Sequence, residues 1–250
     1  MSKYWELIWT LTKADFKSKY QNTALGFLWS VISPFAFAFI LYIVFRGLFA
    51  QEQDYVSKLL VGIMAWRFFS MGTLLALNAF NARVNLITKV YIPRQILVLS
   101  NVLSTLISST LEFIILLPII LILRGSLPAT APLFLPIHVI SFFLIYGLGL
   151  FLASVYIYFR DAYQIWDVLL SMLMFCSPIF YPISIVPQYL MRYYLANPIT
   201  ELVILYRQVM VEGQLPGLSN LLIAVLFAAL AYGIGTITFN KLQRRFAEEI

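Results

Sequence analysis

The chain has 250 residues, of which 62% are hydrophobic and only 11% charged, with a net charge of +6 and a mean hydropathy of +0.88. A soluble domain carries about 25% charged residues and roughly half apolar ones, so water is excluded as the only solvent and the chain reads as an all-α integral membrane protein. One cysteine, Cys176, and one histidine, His138, exclude an internal disulfide and a clustered metal site. Cys176 lies in an apolar run and reads as a small hydrophobe. His138 reads as a buried or interfacial polar contact rather than a proton relay.

In chain order, residues 3–20 place Trp5, Ile8, Trp9, Thr12, Phe16 and Tyr20 on one helical stripe and Lys3, Glu6, Thr10, Lys13 and Lys17 on the other. That pattern predicts an amphipathic helix lying in the membrane interface, with lysines toward anionic headgroups. It is unlike the basic stub and short apolar core of a secretory leader.

A hydrocarbon layer about 30 Å thick needs about 20 apolar helical residues to cross it. Charge-poor runs predict six spans: between Lys19 and Arg46, from Leu59 to Asn81, from Arg94 to Leu123, between Arg124 and Arg160, between Asp167 and Arg192, and between Glu212 and Lys241. Six crossings put both termini on one side. With the termini in the cytoplasm, inside segments hold eleven Lys and Arg residues and outside segments five, as the positive-inside rule requires. The basic excess is therefore an orientation signal, and no nucleic-acid partner is implied.

Arg67 interrupts the second run and Glu112 the third. A carboxylate at mid-span costs about 2.5–3.5 kcal/mol on insertion scales and so faces protein or water. Glu112 is expected to pair with Arg67, to bond hydroxyl or amide groups such as Asn101, or to line a conduit. Phe35, Phe39 and Tyr42 share a face of the first span by their spacing. With Phe175 they either line a conduit or pack against helices and lipid.

Residues 82–95 are a basic, proline-containing segment between the second and third spans, on the expected cytoplasmic side. Apolar residues flanked by charges there suit a docking surface, although a plain positive-inside loop has the same composition. Between the fifth and sixth spans, Pro178, Pro182, Pro187 and Pro198 cannot lie within one uninterrupted helix. The surrounding residues are too apolar for a solvated loop. The fifth span is expected to end near Pro182. Residues 183–212 are then expected to form short helices that dip into the outer leaflet, with Arg192, Glu201 and Arg207 facing water.

No GxxxxGK[ST] loop occurs, and no nucleophile or acid–base constellation stands out. An intramembrane enzyme lacks its catalytic group, and a secondary transporter would show broken helices in both halves. Energy must come from another chain.

The stretch NLITKVYIPRQILVLSNVLS (85–104) resembles the cytoplasmic coupling segment of membrane subunits of type-2 ABC polysaccharide exporters. DFKSKYQNTALGFLWSVISP (15–34), FRDAYQIWDVLLSMLMFCSPIFYP (159–182) and LANPITELVILYRQ (195–208) are similar to further segments of that family, and the ending FNKLQRRFAEEI resembles O-antigen exporters. The resemblance implies a homodimer carrying two copies of an ABC ATPase, which binds the ATP and Mg, so that this chain holds no cofactor and is not itself an enzyme. It implies export of an undecaprenyl-diphosphate-linked O-antigen across the bacterial inner membrane, with capsular glycan and wall teichoic acid as other cargoes. It further implies that Leu86, Ile87, Lys89, Val90, Tyr91, Pro93 and Arg94 dock the ATPase, with Arg160 and Asp161 as a second contact. Lys13, Lys17 and Lys19 would meet the lipid headgroup, and Pro182, Pro187, Arg192 and Pro198 would belong to an external gate. The whole chain, 1–250, would be one transmembrane domain.

Overall fold

The computed structural model describes residues 2–21, 25–49, 52–83 and 92–243. Helices α1 (Ser2–Tyr20), α2 (Leu28–Phe49), α3 (Tyr55–Leu77), α4 (Gln95–Arg124), α5 (Phe134–Tyr158), α6 (Ala162–Phe175), α7 (Gln188–Leu195), α8 (Pro198–Arg207) and α9 (Leu218–Leu242) account for most of them. No strand occurs among the described residues. Helices α2, α3, α4, α9 and the run Ala131–Tyr158 are long and apolar enough to cross a membrane.

The fifth expected span is the exception. Helix α6 has 14 residues and stops at Phe175, about 21 Å of helix at 1.5 Å per residue, short of Pro182. Ser177 precedes Pro178, whose ring disfavours helical backbone at the residue before it. After a 3-10 turn at Ile183–Ile185 come α7, α8 and a π-turn at Gln208–Glu212. Helix α8 starts cleanly: Asn197 accepts from the Ile199 N–H at 3.0 Å and Pro198 occupies the first turn, where its missing donor is no loss. At the end of α4, Gly125 (φ 77°) lets the backbone turn left-handed and its N–H bonds Leu121 O.

Helix α3 is the centre of the bundle, 72% buried over its most apolar stretch, against 17% for each of α2 and α9. It packs on α2, α4, α5, α6 and α8, while α9 lies along α5 and α1 lies on α4. In lipid, helices hold together by close packing rather than by escape from water, so small residues sit where backbones meet. A Cβ on Gly235 would fall on the carbonyl oxygen of Gly147, and one on Gly147 would fall on the backbone of Ala231 and Tyr232. A Cβ on Gly72 would lie 2.7 Å from the Ile145 side chain.

Gly235→Ala is therefore expected to destabilise the protein by about 1–3 kcal/mol through overpacking. Gly233→Ala, where nothing lies within 4 Å, is expected to be neutral. Thermal unfolding of the two variants in detergent checks the contrast.

Candidate functional site

Three helix ends meet at the end of the bundle that holds Arg83. The Arg94 guanidinium donates to Gln243 O, Gln95 Nε2 donates to Asn240 Oδ1 at 3.0 Å, and the Tyr158 hydroxyl donates to Leu242 O at 3.0 Å. These bonds fix the start of α4 and the end of α5 against the end of α9. Arg160 and Asp161 follow in the exposed turn before α6. Arg83 closes the same end from the other side. It pairs with Asp15 of α1 and donates to Leu97 O at 3.3 Å, Ser100 Oγ at 3.0 Å and Asn101 Oδ1 at 3.1 Å on α4.

From Arg83 a polar seam runs into the bundle. On α4, Ser100, Ser104, Ser108 and Glu112 form one i, i+4 row, and Asn101, Thr105 and Ser109 form the next. The seam faces a cleft of about 370 Å³ between α1, α3 and α4, lined by Asp15, Ser18, Lys19, Asn78, Arg83 and Asn101 with the apolar Met71 and Leu75. Deeper, Lys19 and Met71 also line a cavity of about 10 Å³ that ends on Arg67, Ser109 and Glu112, room for a single water. Glu112 is buried, with Arg67, Lys19 and Ser30 acting on it. No ion pair within 4 Å joins it to Arg67 among the described residues, and Asn101 is engaged instead with Arg83 and Leu75 O.

Behind Ser109 the seam ends on the histidine. Ser109 Oγ lies 3.1 Å from His138 Nε2, and Tyr206 Oη lies 2.7 Å from His138 Nδ1 and 3.0 Å from Ser141 Oγ. Phe68, Phe113 and Phe134 surround the ring. His138 is thus a buried polar contact joining α4, α5 and α8.

At the opposite end, Lys58 pairs with Glu52 at 2.6 Å and Arg124 with Asp54 at 2.8 Å. The carboxylates of these pairs, Glu52 and Asp54, line a cavity of about 430 Å³ with Tyr42, Arg46, Phe49 and Tyr55. The expectation that Glu201 and Arg207 face water is corrected here, because both are buried while Arg192 is exposed. Arg207 donates to Ile179 O at 2.8 Å and Lys58 O at 3.1 Å, and Glu201 accepts from Asn220 at 2.8 Å. The apolar sequence of α8 explains the inversion: its buried face draws both charges inward, where main-chain carbonyls accept from Arg207 and the Asn220 amide donates to one oxygen of Glu201, leaving Oε1 without a partner among the described residues. Burial holds the Glu201 carboxyl above its ordinary value against the lowering effect of Asn220, and lowers the Arg207 guanidinium to about 10 against the raising effect of Glu212 and Glu52.

The other expected site residues are dispersed. Leu86, Ile87, Lys89, Val90 and Tyr91 lie outside the described residues; Pro93 and Arg94 open α4. Lys13 is exposed over the Trp9 ring at 5.2 Å and Lys17 is exposed, whereas Lys19 is half-buried over Tyr20 at 5.3 Å and turns to the cleft. Thr12 is buried against the bundle, while Trp5 and Trp9 are exposed. Phe39 and Phe175 stand on the exterior, and Phe35 and Tyr42 pack partly against the core. Pro182 and Pro187 precede the Ile183–Ile185 turn and α7 respectively, and Arg192 lies in the last turn of α7. Cys176 caps the end of α6 and is exposed rather than packed inside.

A family model described as ABC-2 type transporter matches residues 6–211. The chain belongs to this family. It is 27% identical over 249 residues to the O-antigen export system permease protein RfbA of Klebsiella pneumoniae, covering 97% of this chain and 94% of that one. It is also 27% identical over 255 residues to the protein of the same name from Myxococcus xanthus, covering 99% and 96%. In this ABC-2 permease the Arg83 joint and the α4 seam were not singled out from sequence, although the recurrence of Ser, Asn and Thr at four-residue intervals from 100 to 112 is the signal that marks them.

Glu112→Gln keeps hydrogen-bonding capacity in the seam and is expected to leave assembly near wild type. Glu112→Leu leaves the buried polar groups around it, Ser30 among them, without a hydrogen-bonding partner and is expected to lower stability by about 1–3 kcal/mol. Yield and melting temperature of the purified chain test the pair.

Proposed function

We propose that this chain is the transmembrane subunit of an ATP-driven exporter that carries undecaprenyl-diphosphate-linked O-antigen polysaccharide across the bacterial inner membrane. Two copies pair, and each binds one ABC ATPase on the cytoplasmic side, where both termini lie. ATP and Mg belong to that partner. The observation that carries the reading is the end-to-end likeness to O-antigen export permeases.

The geometry fits it. Residues 82–95 enter α4 at Pro93 and Arg94, next to the ends of α5 and α9, with Arg160 and Asp161 beside them. A push from the ATPase on that segment would reach the long α4 directly and α5 and α9 through the bonds of Arg94, Gln95 and Tyr158. Rigid helices linked in this way suit a bundle with two discrete arrangements. Helix α1 serves as the interfacial helix, α6 as the fifth crossing, and the 183–212 region as the external gate. Phe39 and Phe175, exposed in the single chain, are the aromatic residues offered to a conduit between two copies, with Phe35 and Tyr42 behind them. A sliding polymer requires many weak contacts, so no single aromatic residue dominates.

Lys89→Glu combined with Arg94→Glu is expected to lower transport-coupled ATPase activity of the assembled complex by about tenfold, since reversed charge misdirects docking. Unchanged coupling would count against the assignment. Deleting the gene is expected to leave lipid-linked O-antigen on the cytoplasmic face, read by lipid extraction and glycan analysis. Accumulation of a capsular glycan or teichoic acid instead would reassign the cargo.

A further inference from the structure

We propose that the cleft between α1, α3 and α4 is a binding site for a lipid phosphate, with Lys19 as its cation. The inference deepens the proposed function by seating the phosphate of its cargo, and it rests on that reading only for the polyprenyl identity of the carrier.

Charge is the first argument. The cleft and the small cavity beneath it hold three cations, Lys19, Arg67 and Arg83, and two carboxylates, Asp15 and Glu112. Arg83 and Asp15 neutralise each other and the Arg83 guanidinium is occupied on α4 as well. Two partly buried cations, Lys19 and Arg67, are then left to the one buried carboxylate of Glu112. An uncompensated charge there is expensive, and an anion in the cleft would complete the balance. Lys19 is the one able to meet it: it lines both cavities on a flexible stem and forms no ion pair within 4 Å among the described residues.

The second argument is the lining. A phosphate only accepts hydrogen bonds, and the side chains of Ser18 and Asn78 have no hydrogen-bond partner among the described residues while both face the cleft. Met71 and Leu75 form an apolar wall beside these donors, as an amphiphile with a hydrocarbon stem needs.

Position is the third. The mouth lies alongside α1, whose exposed Trp5 and Trp9 are residues of the headgroup level. Lys13 and Lys17 of the same helix are exposed outside the cleft. They attract anionic lipid to the surface, whereas Lys19 holds it.

Native mass spectrometry of the full chain bound to its ATPase tests this with undecaprenyl phosphate, phosphatidylglycerol and uncharged undecaprenol. The phosphate lipids are expected to bind and undecaprenol to bind weakly. Lys19→Met is expected to weaken phosphate-lipid binding by about thirtyfold, as loss of a charged hydrogen bond does, and Lys19→Arg to restore it to within about threefold. Asn78→Leu, which keeps every charge, is expected to weaken it as well. Lys13→Met and Lys17→Met are expected to cost about fivefold or less, an effect that vanishes in about 0.5 M salt. A preference for undecaprenyl phosphate would identify the occupant as the carrier, and equal binding of phosphatidylglycerol as a resident phospholipid; either supports the site. Undecaprenol binding as tightly as its phosphate would overturn it. So would a Lys19→Met protein of unchanged melting temperature that binds like wild type, or one weakened no more than Lys13→Met. Such a failure would leave the export reading standing if deletion still strands lipid-linked glycan, and loss of the export reading would leave the lipid measurement untouched.

Discussion

The guanidinium of Arg83 is the interaction on which one end of this permease's bundle depends. It reaches Asp15 on α1 and Leu97, Ser100 and Asn101 on α4, so one side chain from the turn after α3 holds three elements in register. A surface ion pair contributes little, but this one is partly sheltered and its donors are shared with carbonyl, hydroxyl and amide acceptors, which makes the geometry specific. It also stands at the threshold of the segment expected to meet the ATPase. Arg83 precedes that segment, and Arg94 and Gln95, which follow it, bond the end of α9.

The bundle shows how a membrane protein arranges polar groups where lipid cannot satisfy them. Most hydroxyls of the α4 seam bond carbonyls one turn back, as Ser108 does to Ser104 and Thr105 to Asn101. The exceptions gather: Ser109 joins His138 and Tyr206, and Glu112 shares its cavity with Arg67 and Lys19. Polarity is thus concentrated on the α4 flank facing α1 and α3, while α2 and α9 remain apolar outward. The same constraint accounts for the Gly147–Gly235 crossing, since helices without a hydrophobic drive to associate must approach closely to gain contact.

Composition made the membrane class and five long helices legible, because a run of about 20 apolar residues has few other uses. The helical stripe of residues 3–20 was legible as α1, which places Thr12 against the bundle and leaves Trp5 and Trp9 exposed. The short α6 was not, because the apolar run continues through Ile179 and Phe180 after the helix has ended, and hydropathy does not distinguish a helix from a buried turn. Glu201 and Arg207 were misplaced for a related reason. Charge in an apolar segment was read as a sign of water, whereas here carbonyls and an amide take water's place. The Arg83 joint depends on contacts between residues 68 and 18 positions apart in sequence, which no local pattern reveals.

Helix α8 has a consequence for the end of the bundle opposite Arg83. It is buried along most of its length and pinned through Arg207 to the carbonyls of Ile179 and Lys58, whereas α7 has no buried residue. Helix α8 is in effect a bolt driven into the scaffold, and α7 a flap resting outside it. Movement at that end would therefore swing on the stretch from Pro182 to Pro187 and on the Asn197 junction, leaving the bolt in place.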